Sequence, residues 1–143
     1  MRIKDIQEEI IEEFALLDGD MEMCNIYIIE LGQKMDDLPE KHKTDDNIVK
    51  GCQSKVWLVA NLIDGKVVYQ ADSNTAITKG LVSLLLRILS GQTPENIMNA
   101  ELDFVNKIGM DRFIGTQRSN GFAAMIRQIK LYALAYQSKL EQE

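Results

Sequence analysis

Cys52 is the residue of this chain best suited to covalent chemistry. It follows Gly51, which permits a backbone turn that a residue with a Cβ would resist, and an apolar stretch typical of a β-strand opens at Val56. A thiol in a turn fixed to a sheet is aimed by a rigid scaffold, as catalytic cysteines commonly are. Lys50 and Lys55 supply nearby positive charge, which favours the nucleophilic thiolate. A buried structural cysteine is the alternative interpretation.

Cys24 and His42 are the other residues that could take part in such chemistry. Cys24 shares a helical stripe with Ile28 and Leu31, which predicts a buried thiol rather than a resolving cysteine. His42, the single histidine, lies in a polar, charged stretch, where a solvated side chain is the expectation. Two distant cysteines favour neither a disulfide framework nor a structural metal site, so we expect no bound metal and a reducing cytoplasmic setting.

These residues discriminate between three kinds of thiol chemistry. Assembly of an iron–sulfur cluster on one chain needs several converging thiolates or imidazoles, and this sequence offers too few, although ligation shared across a dimer stays open. A cysteine hydrolase needs an imidazole beside its nucleophile, and His42 is the sole candidate. Sulfur transfer by persulfide exchange needs one reactive thiolate. Transfer is therefore the chemistry that Cys52 alone can support.

Composition limits the class of protein. At 143 residues, with 45% hydrophobic and 27% charged residues, the chain fits a single globular domain spanning residues 1–143. The net charge of -6 argues against a nucleic-acid partner. The N-terminus lacks the apolar core of a signal peptide, and the longest apolar run, residues 81–86, is too short to span a membrane.

Hydrophobic periodicity predicts helices at both ends of a short sheet. Residues 3–17 and 20–32 have helical spacing, with Asp20 as a cap and Gly32 as a stop, and residues 33–47 read as an exposed connection. A short strand is expected at 47–50, then a hairpin with strands at 54–63 and 66–70 around Asp64-Gly65. Asp72 and its neighbours are candidate caps for the next helix.

The second half of the chain reads as helical. A core helix should end at Gly91, and Thr93-Pro94 opens a short helix that is followed by another ending near Gly109. Residues 110–117 read as a connection, and a long closing helix starts at Ser119 or Asn120. Helices around a small antiparallel sheet predict an α+β fold.

Four segments of the sequence resemble the SufE family of sulfur-acceptor proteins. The resemblance covers nearly the whole chain, and its segments occur in the family's order. They are Gly51-Cys52-Gln53-Ser54 with Val56-Trp57; Tyr27-Ile28-Ile29-Glu30-Leu31-Gly32; Asp72-Ser73 with Ala76-Ile77 and Lys79-Gly80-Leu81; and Arg118-Ser119 with Gly121 and Ala124-Met125-Ile126. The resemblance implies a small antiparallel sheet packed against helices, a fold shared with iron–sulfur scaffold proteins of the IscU type.

The resemblance also implies a function. SufE proteins accept persulfide sulfur from a pyridoxal-phosphate cysteine desulfurase of the SufS type, stimulate that enzyme, and deliver the sulfur to an iron–sulfur assembly complex that contains SufB. Cys52 matches the family's persulfide-forming cysteine, and Arg118 matches an arginine associated with its loop and with partner docking. Gln53 and Ser54 are expected to shape the loop through hydrogen bonds. Pyridoxal phosphate belongs to the partner, so no cofactor is expected here, and the chain acts as a carrier rather than as an independent enzyme.

Two other functions remain compatible with the sequence. One is a sulfur acceptor of a related desulfurase system that feeds another thiolation pathway, for a cofactor or for tRNA. The other is a regulatory protein that activates a desulfurase without carrying sulfur. The sulfur recipient distinguishes the first, and retention of activation by Cys52→Ser distinguishes the second. The sequence does not choose between a monomer and a homodimer.

Overall fold

Residues 1–142, which the computed structural model describes, form seven α-helices and one two-stranded antiparallel sheet. The predicted α+β fold, a small sheet packed against helices, is confirmed. In chain order the elements are α1 (Ile3–Ala15), α2 (Met21–Gln33), two 3-10 helices (Glu40–His42 and Asp45–Asn47), β1 (Val56–Ile63), β2 (Lys66–Ser73), α3 (Ala76–Leu89), α4 (Pro94–Met98), α5 (Phe104–Ile108), α6 (Met110–Ile114) and α7 (Thr116–Glu141).

The hairpin forms because its turn residues suit a left-handed backbone. Asp64 and Gly65 have φ values of 52° and 77°, as a type I′ turn requires at both central positions. The strands pair antiparallel from Ile63–Lys66 at the turn to Val56–Ser73 at the open end. Strand β2 therefore extends three residues beyond the predicted 66–70, and its end lies next to the start of β1.

Helix α3 occupies the centre of the core. Its apolar stripe, which includes Leu81, Leu84, Leu85 and Ile88, is at most 1% exposed, and the helix contacts β2, α1, α2 and α7. Burying large aliphatic side chains stabilises the fold by about 1.5–3 kcal/mol each. The predicted core helix is confirmed, and the short sheet packs against it through β2.

Helices α2 and α3 cross at two glycines. A Cβ added to Gly80 would lie 2.0 Å from the carbonyl oxygen of Ile28, and one added to Gly32 would lie 2.6 Å from the Gly80 nitrogen. The expectation that Gly32 stops α2 is wrong, because the helix continues to Gln33. Gly32 instead permits the close approach of two backbones.

The polar residues expected to cap α3 make other hydrogen bonds instead. The N-cap position is Thr75, whose side chain makes no capping hydrogen bond. Asp72 is 3% exposed and accepts hydrogen bonds from the backbone N–H groups of Leu38 (3.0 Å) and Ser73 (2.8 Å). This carboxylate therefore ties the end of β2 to the segment after α2.

Residues 33–47 are more ordered than the expected exposed connection. They contain both 3-10 helices, Leu38 is buried, and the Lys43 ammonium lies 5.7 Å from the centre of the Trp57 ring. The strand expected at 47–50 is reduced to a single bridge between Ile48 and Trp57. This bridge fixes the chain just before the Cys52 turn.

The C-terminal half differs from the prediction in one place that concerns the site. Thr93 caps α4 as expected, since its side chain accepts a hydrogen bond from the Asn96 N–H at 3.2 Å. The region 110–117 is not a simple connection: it contains α6, and α7 already begins at Thr116. Arg118 therefore lies in the first turn of α7. Within residues 1–142, none of the helices is both long enough and apolar enough to cross a membrane.

Candidate functional site

The loop that carries Cys52 lies across the surface of α7. Gly51 has a φ of 98°, and a Cβ built on it would lie 3.1 Å from the Cβ of Ala124. Both the backbone conformation and the space therefore favour glycine at this position. The turn predicted around Gly51 is thus determined partly by a helix more than 70 residues away in the sequence.

Cys52 rests against the backbone of the same helix. Its Sγ is 3.4 Å from the carbonyl oxygen of Gly121, to which the thiol donates a weak hydrogen bond, and the side chain is half-buried. A Cβ at Gly121 would lie 3.4 Å from that Sγ, an ordinary van der Waals distance, so the contribution of Gly121 is the carbonyl oxygen that accepts the thiol hydrogen bond. Gly121 is a contributor to the site that reasoning about Cys52 alone did not single out.

A cavity of about 150 Å³ lies beside the thiol. The structure brings all four of the sequence-predicted residues to its wall. Three segments line it: Cys52, Gln53 and Ser54 from the loop; Thr75, Ile77, Thr78 and Leu81 from the start of α3; and Gln117, Arg118, Gly121 and Met125 from α7. A larger groove of about 700 Å³, between α1 and the α4–α5 region, contains no cysteine.

Hydroxyl groups connect the far side of the Cys52 loop to the start of α3. Ser54 Oγ lies 2.9 Å from Thr75 Oγ1, and Thr78 Oγ1 donates to Ser54 Oγ at 3.3 Å. The backbone N–H of Lys55 donates to Asn74 Oδ1 at 2.9 Å. Ser54 therefore has the hydrogen bonds expected of it, whereas Gln53 is exposed at the cavity wall. Asn74 was expected only as a candidate helix cap, and reasoning from the sequence did not single out Thr75 or Thr78.

Burial and charge act on the thiol in opposite directions. Burial raises the pKa of Cys52, and the positive charge of Arg127 lowers it by less, so the net shift is upward. The hydrogen bond to Gly121 also requires the thiol proton. In this conformation Cys52 is therefore held as a neutral thiol, and a conformation away from Gly121 is needed to favour the thiolate.

Arg118 lies at the cavity, but its guanidinium group is directed to the end of the preceding helix, α6. Its Nη1 donates a hydrogen bond to the carbonyl oxygen of Ile114 at 3.2 Å, and the side chain is exposed. The charge that lowers the Cys52 pKa comes from Arg127, and not from Lys50 or Lys55 as expected from their positions in the sequence. Arg127 follows Ala124 by one helical turn, so the periodicity of α7 was the signal that could have indicated it.

The other candidate residues lie away from the cavity. Cys24 is 4% exposed on α2, and burial raises its pKa, with a smaller effect of the negative charge of Asp20. The expected core position of Cys24 is confirmed. His42 belongs to the first 3-10 helix and is not among the cavity residues. Within residues 1–142, no group of three or more His, Cys, Asp or Glu side chains is arranged to hold a metal ion.

Comparison with known proteins agrees with the segments around this cavity. The family model described as "SufE: Fe-S metabolism associated domain" matches residues 8–133. The chain belongs to the SufE family. The match spans all of the residues that line the cavity, and SufE membership supports a sulfur-transfer role in iron–sulfur metabolism, with a cysteine desulfurase as the implied partner.

Individual relatives give the same family. An uncharacterized SufE-like protein of Rhizobium meliloti (strain 1021) is 38% identical over 128 residues, covering 86% of this chain and 91% of that protein. An uncharacterized SufE-like protein of Synechocystis sp. (strain ATCC 27184 / PCC 6803 / Kazusa) is 39% identical over 106 residues, covering 74% of this chain and 67% of that protein.

A solved structure shares the fold. The solution structure of a hypothetical protein from Thermus thermophilus is similar with a TM-score of 0.76, over 93% of this chain and 96% of that chain. The two sequences are 20% identical, so this similarity concerns the fold alone. The arrangement of a short hairpin among helices therefore occurs outside close sequence relatives.

Proposed function

We propose that Cys52 accepts persulfide sulfur from a pyridoxal-phosphate cysteine desulfurase of the SufS type and passes it on for iron–sulfur cluster assembly. The observation that carries the proposal is the half-buried Cys52 thiol beside a 150 Å³ cavity in a SufE-family chain. The sulfur added to a thiol extends about 2 Å beyond Sγ, the length of an S–S bond. The cavity offers room for that atom.

The transfer step needs only one thiol on this chain. Cys52 loses its proton and, as a thiolate, attacks the outer sulfur of the desulfurase persulfide. The S–S bond to the desulfurase cysteine breaks, that cysteine leaves as a thiolate and takes up a proton, and a new S–S bond leaves Cys52 as Cys52-S-SH. No electrons enter or leave overall. A thiolate or another sulfur-accepting group of the recipient then attacks the outer sulfur of Cys52-S-SH. The S–S bond to Cys52 breaks, and Cys52 leaves as a thiolate.

The remaining cavity residues support this step without reacting. Arg118 contributes positive charge at the cavity wall and a contact for the docked desulfurase. Ser54, through Thr75 and Thr78, holds the closed loop, and Gln53 faces outward where a partner can reach it. The desulfurase supplies the pyridoxal phosphate, which labilises the sulfur of free cysteine on that enzyme.

The neutral, half-buried thiol fits a loop with two states. A persulfide in open cytosol is lost to reductants and oxidants, whereas a thiol that stays buried cannot reach the partner's sulfur. In the closed state Cys52 lies against Gly121, and docking of the desulfurase selects an open state in which the thiolate is exposed. By removing the persulfide sulfur, this exchange regenerates the desulfurase cysteine thiolate and so also stimulates the turnover of that enzyme. The proposal places the protein in the reducing cytoplasm.

The decisive experiment is intact-mass measurement after incubation with the cysteine desulfurase of the same organism and free cysteine. We expect one added sulfur atom, about 32 Da, that is lost on reduction of the persulfide. Peptide mapping should locate it on Cys52. An unchanged mass together with full stimulation of the desulfurase would instead identify a regulatory activator. Transfer of the sulfur to a cofactor or tRNA, rather than to an assembly complex containing SufB, would identify an acceptor that feeds another thiolation pathway.

A further inference from the structure

Charge is distributed unevenly between the Cys52 side of the molecule and the rest. The chain has 22 acidic residues, yet the stretches 47–63, 73–94 and 112–140 contain none of them. Every residue that lines the Cys52 cavity belongs to one of these three stretches. A protein with a net charge of -6 therefore builds its cavity entirely from segments without carboxylate side chains.

Four exposed cations of these stretches lie in the cavity wall or near Cys52. Lys50 and Lys55 flank Cys52 in the loop, two and three residues away, which limits their Cα separations from Cys52 to about 7 and 11 Å. Arg118 lines the cavity, and Arg127 is close enough on α7 to lower the Cys52 pKa. We call these four residues the basic rim.

The basic rim is not neutralised within the chain. Other cations, such as Arg87 with Glu13 and Lys79 with Asp72, form ion pairs with carboxylates. In the part of the chain that the structure describes, none of the four rim residues does so. Unpaired, exposed charges of one sign around a cavity create a local potential that steers an oppositely charged partner.

We propose that the basic rim is the docking surface for a desulfurase whose persulfide cysteine is surrounded by acidic side chains. This inference rests on the proposed sulfur transfer and adds the chemistry of the surface that donates the sulfur. The basic rim speeds the encounter of the two proteins and orients the partner. Its four cations attract the partner's carboxylates, so that the partner's persulfide reaches the cavity.

A protein partner fits the rim better than a nucleic acid does. Phosphate recognition relies on a dense array of Lys and Arg, because each phosphate contact adds little and acts by counterion release. Here the cations are few and lie close to one cavity, and the acidic remainder of the chain repels a long polyanion. A folded protein with a compact acidic surface can contact the rim without approaching that remainder.

Charge reversal with a matched control tests the proposal. Lys50→Glu combined with Lys55→Glu reverses two rim charges, whereas Lys66→Glu combined with Lys139→Glu makes the same change in net charge elsewhere. Lys66 and Lys139 are exposed at the far ends of the hairpin and α7, each about 25 Å from the loop at ordinary strand and helix rises. Stopped-flow mixing of each variant with persulfidated desulfurase, over a titration of NaCl, gives the second-order rate of sulfur transfer.

We expect the rim variant to transfer sulfur at least about tenfold more slowly than the parent at low salt, with the difference narrowing as salt screens the charges. The control variant should stay within about twofold. If the two variants transfer sulfur at equal rates at low salt, the proposal for the basic rim is wrong, but sulfur transfer itself still stands as long as Cys52 becomes labelled. If the parent protein acquires no label, the proposed transfer is contradicted. Fluorescence polarisation with a labelled tRNA tests whether the basic rim binds a nucleic acid instead. If tRNA binds at physiological salt and competes with the desulfurase, the assignment of the rim to an acidic protein surface is wrong.

Discussion

The two cysteines of this chain are both at least partly buried, and they differ in what surrounds the thiol. Burial raises the pKa of both thiols, so a shifted pKa does not distinguish a structural cysteine from a functional one. Cys24 lies on α2 inside the core, whereas Cys52 lies on a loop beside a cavity. The proposed role of Cys52 therefore rests on the cavity beside its thiol rather than on its pKa.

The surroundings of the two thiols are held by different forces. Helix α2 crosses α3 at Gly32 and Gly80 with no side chain between the two backbones at that point, a close packing that leaves little room for either helix to shift. The Cys52 loop is closed by hydroxyl hydrogen bonds, a thiol hydrogen bond and one small side chain, Ala124. Water or a partner can replace those hydrogen bonds at a net cost of about 1 kcal/mol each.

Removal of each thiol is the change with the largest expected contrast. Cys52→Ser should abolish sulfur labelling by the desulfurase, because no other thiol is accessible. Cys24→Ala should retain full labelling while lowering the free energy of unfolding by about 1 kcal/mol. Intact mass and urea unfolding measure the two effects. Label found on Cys24 in the parent protein would reverse the assignment of roles.

The helix crossing near Cys24 should be sensitive to one methyl group. Gly80→Ala is expected to lower the free energy of unfolding by about 3 kcal/mol or more, because the added Cβ overlaps a backbone oxygen and the helix-propensity gain is only about 1 kcal/mol. Ser83→Ala, on the same helix, should cost less than about 1 kcal/mol. Equal stability of the two variants in chemical denaturation would mean that α2 and α3 are less closely packed than the structure shows.

Native-state alkylation tests the shelter of Cys52. The raised pKa of Cys52 lowers the fraction of thiolate at a given pH. Alkylation of Cys52 should therefore be slower in the native protein than in the unfolded chain, and its rate should reach a plateau at a higher pH. With an opening free energy of about 1–3 kcal/mol, we expect alkylation of native Cys52 to be about 5- to 150-fold slower than in the unfolded chain. Cys24 should react more slowly still.

A desulfurase that lacks its own nucleophilic cysteine provides the complementary measurement. Its addition should accelerate alkylation of Cys52 and leave Cys24 unchanged, since docking favours the open loop only. If free Cys52 already reacts at the unfolded rate, the loop gives no shelter, and protection of the persulfide depends on rapid handover.

Ser54→Ala should shift the loop toward the open state by a smaller amount. The loss of the contacts with Thr75 and Thr78, worth about 1 kcal/mol, predicts alkylation of Cys52 about fivefold faster than in the parent. Ser138→Ala, an exposed serine on α7, is the control. An unchanged rate in both variants would mean that Ala124 and Gly121 alone hold the loop.

Arg118→Ala has the smallest expected effect. We expect sulfur transfer to slow by about threefold with little change in thermal stability, because an exposed rim charge acts mainly on encounter with the partner. Arg118→Lys keeps the charge and should restore most of the rate. Identical transfer by the alanine variant and the parent across a salt titration would remove Arg118 from the mechanism.

Local chemistry explains which parts of the fold could be predicted from the sequence. Asp64-Gly65, Asp20 and Thr93 act within three residues of their own positions, and each turn or cap was expected where it occurs. The apolar stripe of α3 is likewise a property of neighbouring residues. Cys52 was singled out by its residue type and its turn, and the family segments added Arg118.

The errors arose where a residue acts on a distant part of the chain. Asp72 binds Leu38 across 34 residues instead of capping α3. Gly32 meets Gly80 rather than ending a helix, and Gly121 and Arg127 reach Cys52 from another element. Periodicity reports which face of an element is apolar, but it does not report which element lies against that face. These contacts therefore required the structure.

The size of the cavity beside Cys52 also determines which molecules can reach the closed thiol. Its 150 Å³ equals about five times the 30 Å³ that one water molecule occupies in the liquid. Hydrogen peroxide or sulfide fits inside such a space as a whole molecule, whereas glutathione, a tripeptide, can enter only with part of its structure. While the loop is closed, the walls of the cavity therefore hinder the approach of a large thiol to the Cys52 sulfur more than that of a small oxidant.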